Sequence, residues 1–152
     1  MSFANFDYTD ISNGMVKVSF TNETITNESF AEFLNNWNNC DLLQTPYSFY
    51  FDTRNGLGNA NIQYAFGIVR FIKKKKKEPI KYLQYSLINV NSSRNLLLLR
   101  IIFNLSSPIA PVYIFSNNED GFIQKIRTEI ESSENNLSKK YKKENKLHCF
   151  KP

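Results

Sequence analysis

The sequence predicts an α/β fold in which four strand–helix units build a right-handed βα superhelix. Two observations support this prediction. An amphipathic helical pattern follows each of four short apolar segments. These segments are typical of buried strands and recur at Met15–Phe20, Tyr47–Phe51, Tyr82–Val90 and Pro111–Phe115. Because such alternation packs as parallel strands joined by crossover helices, we expect a mainly parallel, four-stranded sheet in sequential order.

One domain accounts for most of the chain. Its 152 residues can bury a hydrophobic core without cross-links, and 41% of them are hydrophobic. We expect an N-terminal extension at 1–14, the α/β domain at 15–132 and a basic, mobile tail at 133–152. The N-terminus lacks the pattern of a secretory signal, and Cys40 and Cys149 do not form a disulfide framework. We therefore expect a cytoplasmic protein with no transmembrane segment.

The first helix of the series has clear start signals and a clear apolar face. Thr26 and Ser29 precede and open the helical pattern, with acidic Glu28 in the first turn. Apolar residues then recur at helical spacing at Phe30, Phe33, Leu34 and Trp37. On this stripe Trp37 is expected in the core and not as a ligand-stacking residue.

The loop after the second strand is the candidate binding loop. It leaves the carboxyl end of a strand, where ligands and regulatory groups lie in open α/β sheets. Its glycines permit close backbone approach, and exposed amides before a helix attract anions. The alternative is a plain capped turn. The candidate residues are Asp52, Thr53, Arg54, Asn55, Gly56 and Gly58.

A run of lysines ends the second helix, which we predict over 59–77. In the last turn these cations complement the helix dipole, and Pro79 stops the helix. Contact with an anionic membrane is the alternative role, and the net charge of +5 would suit it. A lysine-rich solvated surface is also what an AT-rich genome would encode. The run comprises Lys73, Lys74, Lys75, Lys76 and Lys77.

The third helix, predicted over 93–105, has more apolar surface than a sheet needs. Its apolar residues cover about two-thirds of the helix circumference, whereas one packed face takes about a third. Neighbouring helices bury the excess, or it docks to a partner. The residues of this possible docking face are Leu97, Leu98, Ile101 and Ile102.

The sequence offers little for catalysis. His148 is the only histidine, so a Ser/His/Asp triad lacks a base, and no residues show metal-ligand spacing. The aromatic residues do not interleave with basic ones as in a nucleic-acid platform. We expect no enzyme activity, no metal or other cofactor, and no nucleic-acid partner. A fourth helix is predicted over 119–132.

Two families resemble this chain. The stretch from Glu78 to Ile114 resembles the second half of a CRAL-TRIO domain, with a proline before a strand, Asn89 near its end, an apolar helix and a Leu-Ser-Ser-Pro turn at 105–108. The loop Asp52–Gly58 is similar to the D-S-S-G-L-G turn of STAS domains, and Thr53 matches the first hydroxyl position, in a turn where STAS regulators are phosphorylated. Both families share the four-turn βα superhelix.

The resemblance covers about 15–132 and implies a binding function. Small versions look like those of large DNA viruses, which implies the host cytoplasm. We expect a non-enzymatic protein-interaction or regulatory module that uses the Asp52–Gly58 loop, with an unknown protein partner. The alternative is a lipid-binding or anionic membrane-surface domain of the CRAL-TRIO kind, using the apolar helix, the lysine run and the tail.

Overall fold

The chain folds as an α/β protein with a six-stranded mixed sheet. The computed structural model describes residues 2–57, 60–134 and 136–152. The strands are β1 (Ala4–Asp7), β2 (Met15–Phe20), β3 (Tyr47–Asp52), β4 (Leu83–Asn89), β5 (Val112–Phe115) and β6 (His148–Phe150). The helices are α1 (Asn27–Leu42), α2 (Ile62–Lys76), α3 (Ser93–Leu105), α4 (Phe122–Ser132) and α5 (Lys139–Glu144), with a 3₁₀ turn at Ile11–Asn13.

The four predicted strands form the centre of the sheet. β2, β3, β4 and β5 pair in parallel and in sequential order. The expected number of strands is wrong, because the segments on both sides of 15–132 each add an antiparallel edge strand. Ala4 lies opposite Phe20 in the β1–β2 pair, and Cys149 lies opposite Tyr113 in the β5–β6 pair.

Helices cover both faces of the sheet. Strand side chains alternate between the faces, so Phe49 and Phe51 face one side while Tyr50 faces the other. The first face packs against α1, α2 and α3 through residues such as Phe33, Trp37, Ile72 and Leu99. The second face packs against α4 through Phe122, Ile126 and Ile130.

Side-chain caps set where the helices begin. Thr26 and Ser29 form a capping box at α1, and the side chain of Ser92 accepts a hydrogen bond from the Asn95 N–H at α3. Asn61 does the same for the Gln63 N–H, so α2 begins at Ile62 and not at the predicted 59. Each cap satisfies an N–H that the first helical turn leaves without a partner.

The C-terminal segment has regular structure where a mobile tail is expected. Helix α5 and strand β6 both lie within 133–152. Leu137 is buried, and Tyr141, Leu147 and Cys149 pack against the second face of the sheet. These apolar residues are few and widely spaced in a lysine-rich sequence, so they form no pattern that predicts a helix or a strand. Their packing depends on the sheet that the rest of the chain forms.

Candidate functional site

The candidate binding loop lies at the carboxyl edge of the parallel strands, as expected. Asp52 ends β3 and lies opposite Ser19 in β2 and Asn89 in β4. The residues after it contact the ends of both neighbouring strands, since Thr53 donates to Asn89 of β4 and Gly56 lies against Phe20 of β2. The loop therefore occupies the edge where ligand sites of α/β proteins are found.

Arg54 is bound to the carboxylate of Asp52. Its Nε donates to Oδ1 of Asp52 at 2.9 Å, and its Nη2 donates to Oδ2 at 2.8 Å. Its Nη1 donates to Oδ1 of Asn118 at 2.8 Å. These hydrogen bonds from Arg54 hold the pKa of Asp52 below its usual value, and the same carboxylate raises the pKa of Arg54. The guanidinium thus has its main acceptors within the protein.

Thr53 is buried, which contradicts the exposure that a recognition surface or a phosphorylation site requires. Only 2% of the residue is exposed. Its hydroxyl donates to the backbone oxygen of Asn89 at 2.8 Å, and its N–H donates to the same oxygen at 3.0 Å. In the folded protein a kinase or a partner cannot reach this hydroxyl.

Of the remaining loop residues that the structure describes, only Asn55 is fully at the surface. Gly56 is buried, and a Cβ there would lie 2.6 Å from the Cβ of Phe20 and 2.7 Å from the oxygen of Thr21. Its glycine therefore allows close approach to the end of β2. Gly58 lies outside the described residues.

Three asparagines hold this edge together, and of these the sequence pattern marked only Asn89. Nδ2 of Asn95 donates to the oxygens of Thr53 and Gly56, at 3.3 and 3.2 Å. Nδ2 of Asn91 donates to the oxygen of Arg54 at 2.7 Å. Nδ2 of the buried Asn89 donates to the oxygen of Asn117 at 2.8 Å. Asn89 ends β4, Asn91 follows it and Asn95 lies in the first turn of α3, so the available signal was their position around the carboxyl end of β4.

The lysine run is divided between packing and the surface. Lys75 is buried, and its Nζ contacts Asp41, Glu78 and Asn38. Lys76 is half-buried and donates to the backbone oxygen of Ser107 at 3.2 Å. The five lysines therefore cannot form one continuous cationic patch. Lys75 is bound by residues of α1 and by Glu78, and Lys76 is bound by Ser107, just after α3. Lys73, Lys74 and Lys77 are exposed.

The apolar residues of α3 divide in a similar way. Ile102 is buried and Leu98 and Ile101 are half-buried, so the sheet and the neighbouring helix cover much of the predicted docking face. Leu97 is 58% exposed. Neighbouring elements therefore bury part of the excess apolar surface of α3, and Leu97 remains exposed for a partner.

An apolar and basic surface runs over α2 and α3, which pack side by side. Five exposed side chains from Ile62 to Lys77, along α2 and at its C-cap, follow one another at spacings of four, four, three and four residues, which places them on one stripe. Arg94 of α3 donates to the oxygen of Ala60 at 3.2 Å and joins the two helices at their beginnings. We call this the α2–α3 surface: Ile62, Phe66, Arg70, Lys73, Lys77, Arg94, Leu97 and Ile101.

The charged residues of the α2–α3 surface are all positive. The sequences of α2 and α3 contain no aspartate or glutamate. Ile62, Phe66 and Leu97 are 49%, 43% and 58% exposed. Half-exposed apolar side chains therefore lie among cations, with no acidic residue on either helix to neutralise them.

Reactive groups do not converge at these sites. Burial raises the pKa of the Cys40 thiol to about 11, so the thiol is protonated at neutral pH. Burial and the nearby Arg100 lower the pKa of His148. Among residues 2–57, 60–134 and 136–152, no group of three His, Cys, Asp or Glu side chains could hold a metal ion.

Across the described parts of the chain, no helix has both the length and the apolar character needed to cross a membrane. Comparisons of the chain with protein-family models, with curated proteins and with solved structures find no match.

Proposed function

We propose that this protein is a non-enzymatic binding module that attaches to an anionic membrane surface through the α2–α3 surface. One observation carries the proposal: half-exposed apolar side chains and exposed cations share one stripe along α2 and the adjoining part of α3. Peripheral attachment combines the same two elements, because apolar residues enter the interface while cations meet the lipid headgroups.

Neither element suffices alone. Each Lys or Arg near an anionic bilayer contributes about 1 kcal/mol. Arg70, Lys73, Lys77 and Arg94 together supply about 4 kcal/mol on that scale, which corresponds to a dissociation constant near 1 mM. The apolar residues Phe66 and Leu97 must supply the rest.

Liposome co-sedimentation tests the electrostatic part. Binding should rise with the fraction of phosphatidylserine and fall steeply at high salt, because salt screens exposed charges. The triple variant Arg70→Gln, Lys73→Gln and Lys77→Gln should bind weakly. Its matched control removes three exposed cations from α5 instead, by changing Lys139, Lys140 and Lys143 to Gln. Equal loss in both triple variants would contradict a site on α2 and α3.

A second pair of variants tests the apolar part. Leu97→Ala should weaken binding to phosphatidylserine vesicles at constant salt. Leu42→Ala is the control, because Leu42 is 75% exposed on α1 and is not part of the α2–α3 surface. Unchanged binding by Leu97→Ala would leave only charge attraction and would contradict insertion of this surface.

A protein partner at the carboxyl edge is the second candidate function. The observation that favours it is that Arg54, whose side chain is 32% exposed, is held in one orientation by Asp52 and Asn118 beside the exposed Asn55. A held side chain loses less entropy on binding. Asn55→Trp should block such a partner without disturbing the fold. A partner retained by that variant would place the interaction elsewhere.

That this chain is related to STAS and CRAL-TRIO domains stays a prediction. The sequential, parallel order of β2 to β5 supports it. The buried Thr53 does not support regulation by phosphorylation in this turn. A superhelical path of the four strand–helix units is part of the same prediction.

A further inference from the structure

An apolar cavity of about 130 Å³ lies between the first face of the sheet and helices α1, α2 and α3. It extends under the end of the Asp52–Leu57 loop. Its walls come from every element around it, including Phe33, Trp37, Phe51, Ala65, Ile72 and Leu99. The cavity is distinct from the α2–α3 surface, which lies on the outer side of the same helices.

The chemistry of the walls favours an uncharged occupant. Aromatic rings form much of the lining, and they pack against one another in tilted pairs such as Phe30 and Tyr64, whose ring centroids are 5.0 Å apart. The polar side chains that reach the cavity are already bound within the protein. Thr53 donates to Asn89, Asn61 caps α2, and Tyr64 donates to the oxygen of Ile25 at 3.3 Å.

We propose that this cavity binds one small, uncharged, apolar molecule with the size of a single aromatic ring. An apolar cavity of about 150 Å³ in another protein stays dry and binds benzene, which sets the scale for the present volume. A whole lipid would not fit. The proposal does not depend on membrane attachment, since it concerns the inner side of the helices.

The ligand can enter at the carboxyl edge. The exposed Asn61 lies at that end of the cavity, beside the half-buried Leu57, Ala60 and Tyr64. An entry there leaves the sheet and the buried ends of the helices in place. Binding therefore requires no unfolding.

Benzene is a suitable probe, and the chain carries its own reporter. Trp37 is the only tryptophan and lines the cavity. Titration with benzene should change Trp37 emission until the site is full and should raise Tm as the concentration increases. Benzoate has the same ring with a charge and should do neither, because burying an unpaired carboxylate is costly.

Filling and enlarging variants make the test specific. Ala65→Leu should fill the cavity and abolish the benzene-dependent rise in Tm, whereas Ile72→Ala should enlarge it and admit naphthalene. If Ala65→Leu does not fold, Ala60→Leu at the entrance is the second filling variant. Phosphatidylserine vesicles without benzene should shift the Tm of Ile72→Ala and the Tm of the unaltered protein by the same amount. A larger shift for the enlarged cavity would show that a lipid chain enters it in place of a free ligand. The absence of saturable binding by the unaltered protein, or equal binding by the filled variant, would overturn the proposal.

Discussion

Lys75 of α2 forms a buried ion pair with Asp41 of α1. The Lys75 side chain is 7% exposed and that of Asp41 is 18% exposed. The phenolic hydroxyl of Tyr47 donates to the same carboxylate at 2.7 Å, and burial raises the pKa of that phenol. This cluster joins two helices to the beginning of β3, so one lysine of an apparently solvated run belongs to the core.

Lys75→Ala should therefore destabilise the protein strongly. Removing one partner of a buried ion pair costs about 3–5 kcal/mol, because the remaining charge stays desolvated. The Tyr47 hydrogen bond to Asp41 offsets part of this loss, so we expect the lower end of that range. Lys74→Ala is the matched control and should change stability by less than about 0.5 kcal/mol, as exposed sites do. Urea unfolding of both variants measures the difference, and equal midpoints would contradict a structural Lys75.

Thr53→Val should lower stability although the change is nearly isosteric. The variant loses the hydroxyl that donates to the Asn89 oxygen, and such a hydrogen bond contributes about 1 kcal/mol. Asn55→Ala, two residues further along the same loop, should be neutral because Asn55 is exposed. Thermal unfolding compares the two. A stable Thr53→Val protein would show that the hydroxyl does not fasten the loop to β4.

Gly56→Ala and Gly121→Ala separate steric crowding from backbone strain. At Gly56 the new methyl group would lie 2.6 Å from the Cβ of Phe20, and overpacking of this kind costs about 1–3 kcal/mol. A Cβ built at Gly121 meets none of the described atoms within 4 Å, apart from its chain neighbours. Only the positive φ of 81° therefore opposes alanine there. We expect Gly121→Ala to cost about 1 kcal/mol, the usual penalty of a left-handed conformation. Chemical denaturation measures both values, and a harmless Gly56→Ala would refute close packing at the loop.

Stability should fall as the pH drops through the range in which His148 titrates. Burial and Arg100, whose Nη2 lies 3.2 Å from Nδ1 of His148, lower the pKa of this histidine below its ordinary value of 6.5. The unfolded chain therefore binds a proton at higher pH than the folded one does. The loss begins near pH 6.5 and levels off below the lowered native pKa.

His148→Gln should remove this pH dependence, since the chain has one histidine. Unfolding curves of the variant and the unaltered protein, measured between neutral and mildly acidic pH, provide the comparison. A decline of equal size in the variant would assign the effect to other groups.

The repeating pattern of the chain predicted the central strands and the locations of four helices well. It could do so because buried parallel strands are continuous apolar runs and because caps such as Ser92 are local signals. Strands β1 and β6 escaped prediction because Ala-Asn-Phe-Asp and His-Cys-Phe mix polar with apolar residues, whereas the equally short β5 is a continuous apolar run. Their pairing depends on neighbours far away in sequence.

The candidate site was predicted only in outline. The position of Asp52 at the carboxyl edge could be predicted, because the sequence pattern indicates parallel strands and Asp52 comes at the end of one of them. The burial of Thr53 and Lys75 does not, because each depends on a partner from another element, Asn89 and Asp41. A hydroxyl in a glycine-rich loop and a lysine among lysines have no local mark that distinguishes core from surface.

The two short edge strands protect the sheet from aggregation. Without β6, strand β5 would present a free backbone edge with the sequence Val-Tyr-Ile-Phe, in which every residue is now buried. An uncharged, aromatic and β-branched segment of this kind is a template for pairing with another chain. Strand β6 occupies that edge with three residues and leaves few backbone groups for a further strand. A lysine-rich segment follows no apolar pattern of its own, and yet its strand occupies the backbone edge of β5 that another chain would otherwise find open.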